Sequence, residues 1–277
     1  MDEIIKIAFA GSMLGFVVGS MLTLGLGLTV RQIIAPYKKI KPLILALMAN
    51  FLFVPLFAFY LVQWLPMPEG VRIGIILLSL GAGAPFVPLI VGVAKGDVGG
   101  SVGLMALLLI MTVILMPLVI PFVLPGTMLS SIEIAKSLVS IMLLPLLIAL
   151  CFNAYFSEVA LRLQVFTRKM TGLSVLGLSV SIFYLYADVI VSNSDVLILI
   201  SVFFLGAALI GGFMGGRSRD ARISLLVGTG LRNPPVAILV ASQNFSAEPL
   251  AAIVPLLLAI IGVLILLPWA KIISRSA

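Results

Sequence analysis

Apolar runs of about 20 residues recur along this chain from one end to the other, and they constrain its fold more than any other feature. Such a run crosses the hydrocarbon core of a bilayer as an α-helix, because a helix satisfies its own backbone hydrogen bonds. Only 10% of the 277 residues are charged and 62% are hydrophobic, whereas soluble domains carry roughly 25% charged residues. We therefore predict an all-α polytopic membrane protein with one integral membrane domain over residues 1–277.

Short breaks that contain charged residues, glycine or proline divide the apolar sequence into nine predicted spans. The predicted spans are residues 4–29, 42–63, 71–93, 98–121, 134–156, 170–191, 196–216, 223–240 and 250–272. Most of the segments between the spans are short, so we expect no separate soluble domain between them.

The distribution of lysine and arginine predicts how the spans are oriented. The chain has 17 of these residues and a net charge of +7. With the N-terminus outside, three fall on the outer side, Arg232 falls deep inside a span, and thirteen fall on the inner side. The thirteen are Arg31, Lys38, Lys39, Lys41, Lys95, Arg162, Arg168, Lys169, Arg217, Arg219, Arg222, Lys271 and Arg275. Because basic loops remain on the cytoplasmic side, we expect a multi-pass protein of the plasma (inner) membrane with a cytoplasmic C-terminus. Placed in these short loops, the basic residues indicate contact with membrane lipids rather than with nucleic acid.

Residues that could perform chemistry are few. The chain has no histidine and a single cysteine, Cys151, which excludes a metal site of the His/Cys type and an intrachain disulfide. No acid, histidine or cysteine nucleophile is paired with a base inside a predicted span. We therefore expect neither an enzyme nor a cofactor.

Two of the predicted spans share a pattern of glycine and proline. The third contains "GAGAPFVPLIVG" and the eighth contains "GTGLRNPPVAIL". The matching residues, at a constant offset of 147 positions, are Gly81, Gly83 and Pro88 in the third span and Gly228, Gly230 and Pro235 in the eighth. The third span runs inward and the eighth outward, so the two copies are inverted. Paired, interrupted spans of this kind mark the binding site of many transporters.

Proline pairs in both copies predict that these helices unwind inside the membrane. Pro85 and Pro88 lie in the third span, and Pro234 and Pro235 lie in the eighth. A proline lacks the backbone N–H and frees carbonyl groups that a regular helix would satisfy. If the two broken helices cross, their ends offer N–H groups and carbonyls that hold an anion, a small cation or both. The alternative is that the prolines only kink the helices.

Arg232 is the charged residue inside the eighth predicted span. Such a charge costs roughly 2.5–3.5 kcal/mol on insertion scales, so it must face protein or a wet cavity. The span contains no acidic residue, so a bound anion or freed helix carbonyls must neutralise Arg232; alternatively, it only caps the broken helix. We predict substrate binding by the intramembrane polar residues Arg232, Asn233, Asn50 and Thr229. Ser79 and Thr112 are expected to bond to the backbone of their own helices.

The order and spacing of these motifs resemble the bile acid:sodium symporter family, including its bacterial homologues. "TLGLGLTVRQI" is similar to that family's GMGLTL segment. "LLSLGAGAPFVPLIVGVAKGDVGGSV" and "VGTGLRNPPVAILVASQNF" are similar to its two discontinuous crossing helices. The resemblance covers nearly the whole chain and implies a core domain, which contains the crossed helices, and a smaller panel domain. It also implies a secondary transporter that moves organic anions by alternating access.

The positions that bind sodium in that family differ in this chain. The resemblance aligns the family's acidic ligand with Gly228, the neighbouring glutamine with Arg232, and the asparagine of the other crossing helix with Pro88. The matching residues that remain are Asn50, Asn233 and, among the hydroxyl ligands, Thr112. If sodium binds, its expected ligands are Asn50, Thr229 and Asn233. Because a guanidinium among these ligands repels a cation, we do not expect sodium coupling, and Arg232 stands in as a fixed internal cation.

Two other functions are compatible with the sequence. An auxin-efflux-like carrier has crossed, proline-broken helices and needs no sodium. A non-transporting membrane sensor or scaffold belongs to a different class, and it would be expected to carry a signalling domain or a long tail. Substrate identity, the direction of transport and the oligomeric state stay open at the level of sequence.

Overall fold

The computed structural model describes residues 2–29, 31–32, 40–124, 130–192 and 195–275, and no strand occurs among them. We number the main helices α1 to α11 in chain order. They are α1 (Asp2–Gly27), α2 (Ile40–Trp64), α3 (Glu69–Leu80), α4 (Val87–Val93), α5 (Val98–Val123), α6 (Ser131–Tyr155), α7 (Ser157–Ser192), α8 (Asp195–Met214), α9 (Arg219–Gly230), α10 (Pro234–Asn244) and α11 (Pro249–Arg275). Within α2 and α6, the short segments Ala49–Phe53 and Val139–Leu143 are π-helical.

Eight stretches of the described residues are long and apolar enough to cross a membrane as helices. They correspond to all the predicted spans except 71–93, and the stretch Arg219–Asn244 contains both α9 and α10. Span 71–93 is present as α3 and α4, which have only 12 and 7 residues because a break separates them. The predicted all-α polytopic membrane fold is confirmed.

The helix that contains the sixth predicted span, 170–191, begins well before residue 170. Helix α7 begins at Ser157 and has 36 residues, with one interruption of helical geometry at Tyr186. At 1.5 Å per residue it is far longer than the hydrocarbon core, which is about 30 Å thick. Its first turns carry exposed Arg162, Arg168 and Lys169, which were predicted to lie in a loop. No glycine or proline between residues 157 and 171 stops the helix, so it continues past the membrane boundary. Lys38 and Lys39 of the predicted inner loop lie outside the described residues.

The helices pack in two groups. In the first group, α1 packs along α7 and α6. In the second, α11 packs against α3 and α10, α9 packs against α8, and α2 packs against α3. Contact between the groups includes α1 against α10. The second group contains helices from both interrupted spans.

The two interrupted helices, α3–α4 and α9–α10, run antiparallel to each other. Helix α3 packs against α10, and α4 packs against α9. At one end of the molecule, the guanidinium of Arg219 at the start of α9 donates to the carbonyls of Ala94 and Lys95, just after α4, at 3.3 and 3.4 Å. Two antiparallel, interrupted helices are the arrangement that the inverted sequence pattern predicts.

The orientation of this arrangement in the membrane can be tested by cysteine labelling. A Cys151→Ala background removes the single cysteine, which is exposed. We expect Asp220→Cys to react with a membrane-impermeant maleimide only in inverted vesicles, because it lies among the basic residues of the predicted inner side. Glu69→Cys, at the start of α3, should react only in intact cells. Labelling of both positions from the same side would contradict the predicted topology.

Candidate functional site

The first break, at residues 81–86, separates α3 from α4. Gly83 in this break has φ +82°, which residues other than glycine rarely adopt. Pro85 disfavours helical geometry in the residue before it. Pro88 lies in the first turn of α4, where a helix needs no N–H donor. The chain therefore leaves helical geometry at Gly81 and resumes it at Val87.

The second break, at residues 231–233, separates α9 from α10. Asn233 is the N-cap of α10, and its side-chain oxygen accepts a hydrogen bond from the backbone N–H of Val236 at 3.3 Å. Pro234 and Pro235 occupy the first turn of α10. The second halves of the two broken helices begin at residues 87 and 234, which have the offset of the sequence repeat. The first halves end at residues 80 and 230, so Gly228 and Gly230 lie in α9, whereas Gly81 and Gly83 lie in a break.

Asn233 joins the second break to the first. Its backbone N–H donates to the carbonyl of Gly81 at 2.9 Å. Its side-chain amide donates to the carbonyls of Gly83 at 3.1 Å and Ala82 at 3.4 Å. From the other side, the hydroxyl of Thr112 on α5 accepts from the backbone N–H of Ala82 at 2.9 Å. Asn233 and Thr112 therefore satisfy backbone groups of the first break inside the protein.

The side chain of Arg232 is completely buried at this contact between the breaks. Its Nε donates to the carbonyl of Leu78 at 2.9 Å, and Nη2 donates to the carbonyl of Ser79 at 2.6 Å. Nη2 also donates to the carbonyl of Asn50 at 3.3 Å, and Nη1 donates to the side-chain oxygen of Asn50. Leu78 and Ser79 are in the last turn of α3, whose carbonyls carry partial negative charge. Arg232 thus caps the C-terminal end of a helix that precedes it by about 150 residues in the chain.

The π-helical segment of α2 explains why Asn50 accepts these bonds. In this segment the N–H of Val54 donates to the carbonyl of Ala49, five residues earlier. The next residue, Pro55, has no N–H, so the carbonyl of Asn50 lacks the corresponding donor. The guanidinium of Arg232 supplies one. The side-chain amide of Asn50 donates to the carbonyl of Ala46 at 3.0 Å and to the hydroxyl of Thr229 at 3.2 Å.

The four residues predicted to bind substrate are engaged with one another or with the breaks in this conformation. Asn50, Thr229, Arg232 and Asn233 are all fully buried. The crevice between Gly83 and Gly228, which Met105 also lines, has no room for a water molecule. The structure therefore brings the predicted residues together, and in this conformation all four are closed off from solvent.

The candidate sodium ligands already accept hydrogen bonds. The side-chain oxygen of Asn50 accepts from Arg232, the hydroxyl of Thr229 accepts from Asn50, and the side-chain oxygen of Asn233 accepts from Val236. Within the described residues, Arg232 forms no ion pair and no three acidic, histidine or cysteine residues cluster as a metal site would. The buried positive charge is therefore solvated by neutral oxygens and has no counter-charge beside it.

Thr112 has a role that the sequence did not predict. We expected its hydroxyl to bond to its own helix, as that of Ser79 does to the carbonyl of Ile76 at 2.7 Å. Instead it lies 30 positions from its partner Ala82 and braces the first break. The sequence feature that could have indicated this role is an isolated hydroxyl in the apolar run "GLMALLLIMTV". The partner of that hydroxyl cannot be predicted from it, because the partner depends on how α5 packs.

A comparison with protein families identifies the chain. The family model described as "Sodium Bile acid symporter family" matches residues 13–193, well over half of the 277 residues. The chain belongs to this family. The sodium bile acid symporter family consists of transporters, and this protein is a transporter of the bile acid symporter type. No curated protein matches the chain. The matched residues include the first break, Asn50 and Thr112, and they end before α9, so the role of Arg232 rests on its own contacts.

Proposed function

We propose that this protein is a secondary active transporter that moves a small organic anion by alternating access and does not use sodium. The observation that supports this proposal is the position of Arg232. Its guanidinium occupies a buried cluster of four oxygen atoms, which belong to Leu78, Ser79 and Asn50. In this proposal, the tethered cation of Arg232 occupies oxygen atoms that a coupling ion would otherwise use.

Electrostatic repulsion from Arg232 disfavours sodium at the crossing of the broken helices. A sodium ion about 4–6 Å from the guanidinium, at an effective dielectric constant of about 20, is repelled by about 3–4 kcal/mol. Because each 1.4 kcal/mol is a tenfold change in affinity, this repulsion weakens binding a few hundredfold. A site of millimolar affinity would then be empty at physiological sodium concentrations.

The same charge favours an anionic substrate. The carbonyl dipoles that solvate Arg232 do not cancel its net charge, and α10 directs the positive end of its dipole toward the breaks from Pro234 onward. An anion that approaches the crossing is therefore stabilised. In this proposal, Asn50, Thr229, Arg232 and Asn233 become accessible to substrate when the group of α1, α6 and α7 separates from the rest. The contacts of α1 with α10 and of α6 with α5 are among those that would open.

The proposal predicts that sodium affects neither stability nor transport. Thermal unfolding of the purified protein should be the same in sodium, potassium and choline chloride at equal ionic strength, because no sodium site adds binding free energy. A thermal-shift screen of carboxylates, sulfonates and steroid conjugates should identify a stabilising anion. Its initial uptake into proteoliposomes should not change when choline replaces sodium.

Two outcomes would contradict the proposal in different ways. A saturable rise in melting temperature with sodium, together with sodium-dependent uptake, would show that Arg232 does not displace the coupling ion. Specific binding of an anion that is never taken up, with or without an ion gradient, would instead favour a sensor or scaffold.

A further inference from the structure

A cavity of about 230 Å³ lies at the end of the molecule where α9 begins and α11 ends. Three arginines line it together with apolar side chains of both helices. The arginines are Arg217, Arg219 and Arg222, and the apolar residues include Leu226, Trp269 and Ile273. This combination of positive charge and apolar surface is separate from the buried cluster around Arg232.

A glycine turn before α9 brings the three arginines together. Gly216 has φ +65°, which reverses the chain after α8. Ser218 caps the N-terminus of α9, so Arg217 lies just before the helix and Arg219 is its first residue. Arg222, one turn later, donates from Nε and Nη2 to the carbonyl of Gly216 at 3.2 and 2.9 Å and holds the turn against the helix.

No carboxylate neutralises this cluster within the part of the chain that the structure describes. Among the described residues, Arg217 makes no hydrogen bond or ion pair, and Arg219 and Arg222 bond only to backbone carbonyls. Asp220 lies in the same turn but pairs with none of them. The N-terminus of α9 adds partial positive charge at this point. Basic residues that only anchor a protein to the membrane surface need not gather around one cavity, whereas the residues of an anion-binding site must.

We infer that this cavity binds the phosphate group of an anionic phospholipid. One guanidinium group can bind two phosphate oxygens at once, and three guanidinium groups surround the cavity. Tryptophan is enriched at the level of the lipid headgroups, and Trp269 with Ile273 provides an apolar wall for the glycerol and first methylenes of the lipid. The volume is below the roughly 300–1,000 Å³ of pockets that enclose a whole small-molecule ligand. It therefore suits a headgroup whose chains remain in the bilayer. A soluble phosphate shares the charge but makes no use of the apolar wall.

The test compares two triple variants, each of which replaces three basic residues with glutamine. One carries Arg217→Gln, Arg219→Gln and Arg222→Gln. The matched control carries Arg162→Gln, Arg168→Gln and Lys169→Gln, which removes the same charge from exposed positions on α7. A third variant, Ile273→Trp, fills the cavity and leaves the charge unchanged. Melting temperatures are measured in detergent with added dioleoylphosphatidylglycerol, dioleoylphosphatidylcholine or inorganic phosphate. Native mass spectrometry counts the lipids that remain bound.

Phosphatidylglycerol should raise the melting temperature of the wild type and of the control triple variant more than phosphatidylcholine does. The Arg217/Arg219/Arg222 variant and Ile273→Trp should each lose most of this shift and retain one phosphatidylglycerol fewer. A rise in melting temperature with millimolar phosphate but not with phosphatidylglycerol would contradict lipid binding and indicate a soluble phosphate ligand. If the rise in melting temperature with phosphatidylglycerol persists in both cavity variants, or if the control variant loses it equally, the lipid does not bind in this cavity.

Discussion

The Arg232→Met variant is expected to lose most of its folded population, which no substitution of an exposed arginine should do. Methionine keeps much of the length of the side chain, so the principal change is the loss of the donors to Leu78, Ser79 and Asn50. Buried acceptors left without a donor cost about 1–3 kcal/mol each. This cost falls on the carbonyls of Ser79 and Asn50 and on the side-chain oxygen of Asn50, because the carbonyl of Leu78 also accepts from the N–H of Gly81 at 3.1 Å. These costs are comparable with the total stability of many proteins, which is about 5–15 kcal/mol.

The effect can be measured by heating the protein in detergent and quantifying the folded fraction that remains by size-exclusion chromatography. Arg162→Met on the exposed face of α7 is the matched control and should melt like the wild type. Arg232→Lys should lie between them, because one ammonium cannot reproduce the planar fork of donors that reaches both Ser79 and Asn50. If Arg232→Met melts like the wild type, the oxygens have other donors, and Arg232 does not hold the two breaks together.

Local sequence predicts much of this fold because membrane spans and helix breaks are local events. Apolar length determines where a helix can cross, and positive φ at Gly83 or a proline pair at residues 234–235 determines where it cannot continue. The constant offset of the repeat correctly relates the starts of α4 and α10. It does not relate the ends of α3 and α9, because helix ends depend on which donors reach the last carbonyls.

The partners inside the site could not be read from local sequence. Arg232 was expected to meet either an anion or freed carbonyls, and only tertiary packing identifies the carbonyls as those of Leu78, Ser79 and Asn50. The contribution of Asn50 depends on a π-helical turn before Pro55, which hydrophobic periodicity does not reveal. The start of α7 at Ser157 was also missed, because charged residues can extend a helix beyond the bilayer as readily as they can form a loop.

The Gly83→Ala variant is expected to be strongly destabilised. At this position φ is +82°, and a Cβ would lie 2.6 Å from the backbone nitrogen of Leu109 and 2.7 Å from the carbonyl oxygen of Met105. Both atoms belong to the backbone of α5, which cannot move as a flexible side chain can. The left-handed geometry costs about 1–2 kcal/mol and the overpacking about 1–3 kcal/mol. Relief of the clash would move the break away from α5 and stretch the hydrogen bond from Asn233 to the carbonyl of Gly83, which is 3.1 Å long.

Gly228→Ala supplies the matched control, because it makes the same chemical change at another glycine that lines the same crevice. A Cβ there would meet only the Cγ1 atom of Val87 at 3.7 Å, an ordinary contact. Within helix α9, alanine is more favourable than glycine by about 0.5–1 kcal/mol. We therefore expect the melting temperature to fall sharply for Gly83→Ala and to stay the same or rise for Gly228→Ala. Equal melting temperatures would mean that the first break is not packed against α5, and the contact between the two breaks would then have to form in another way.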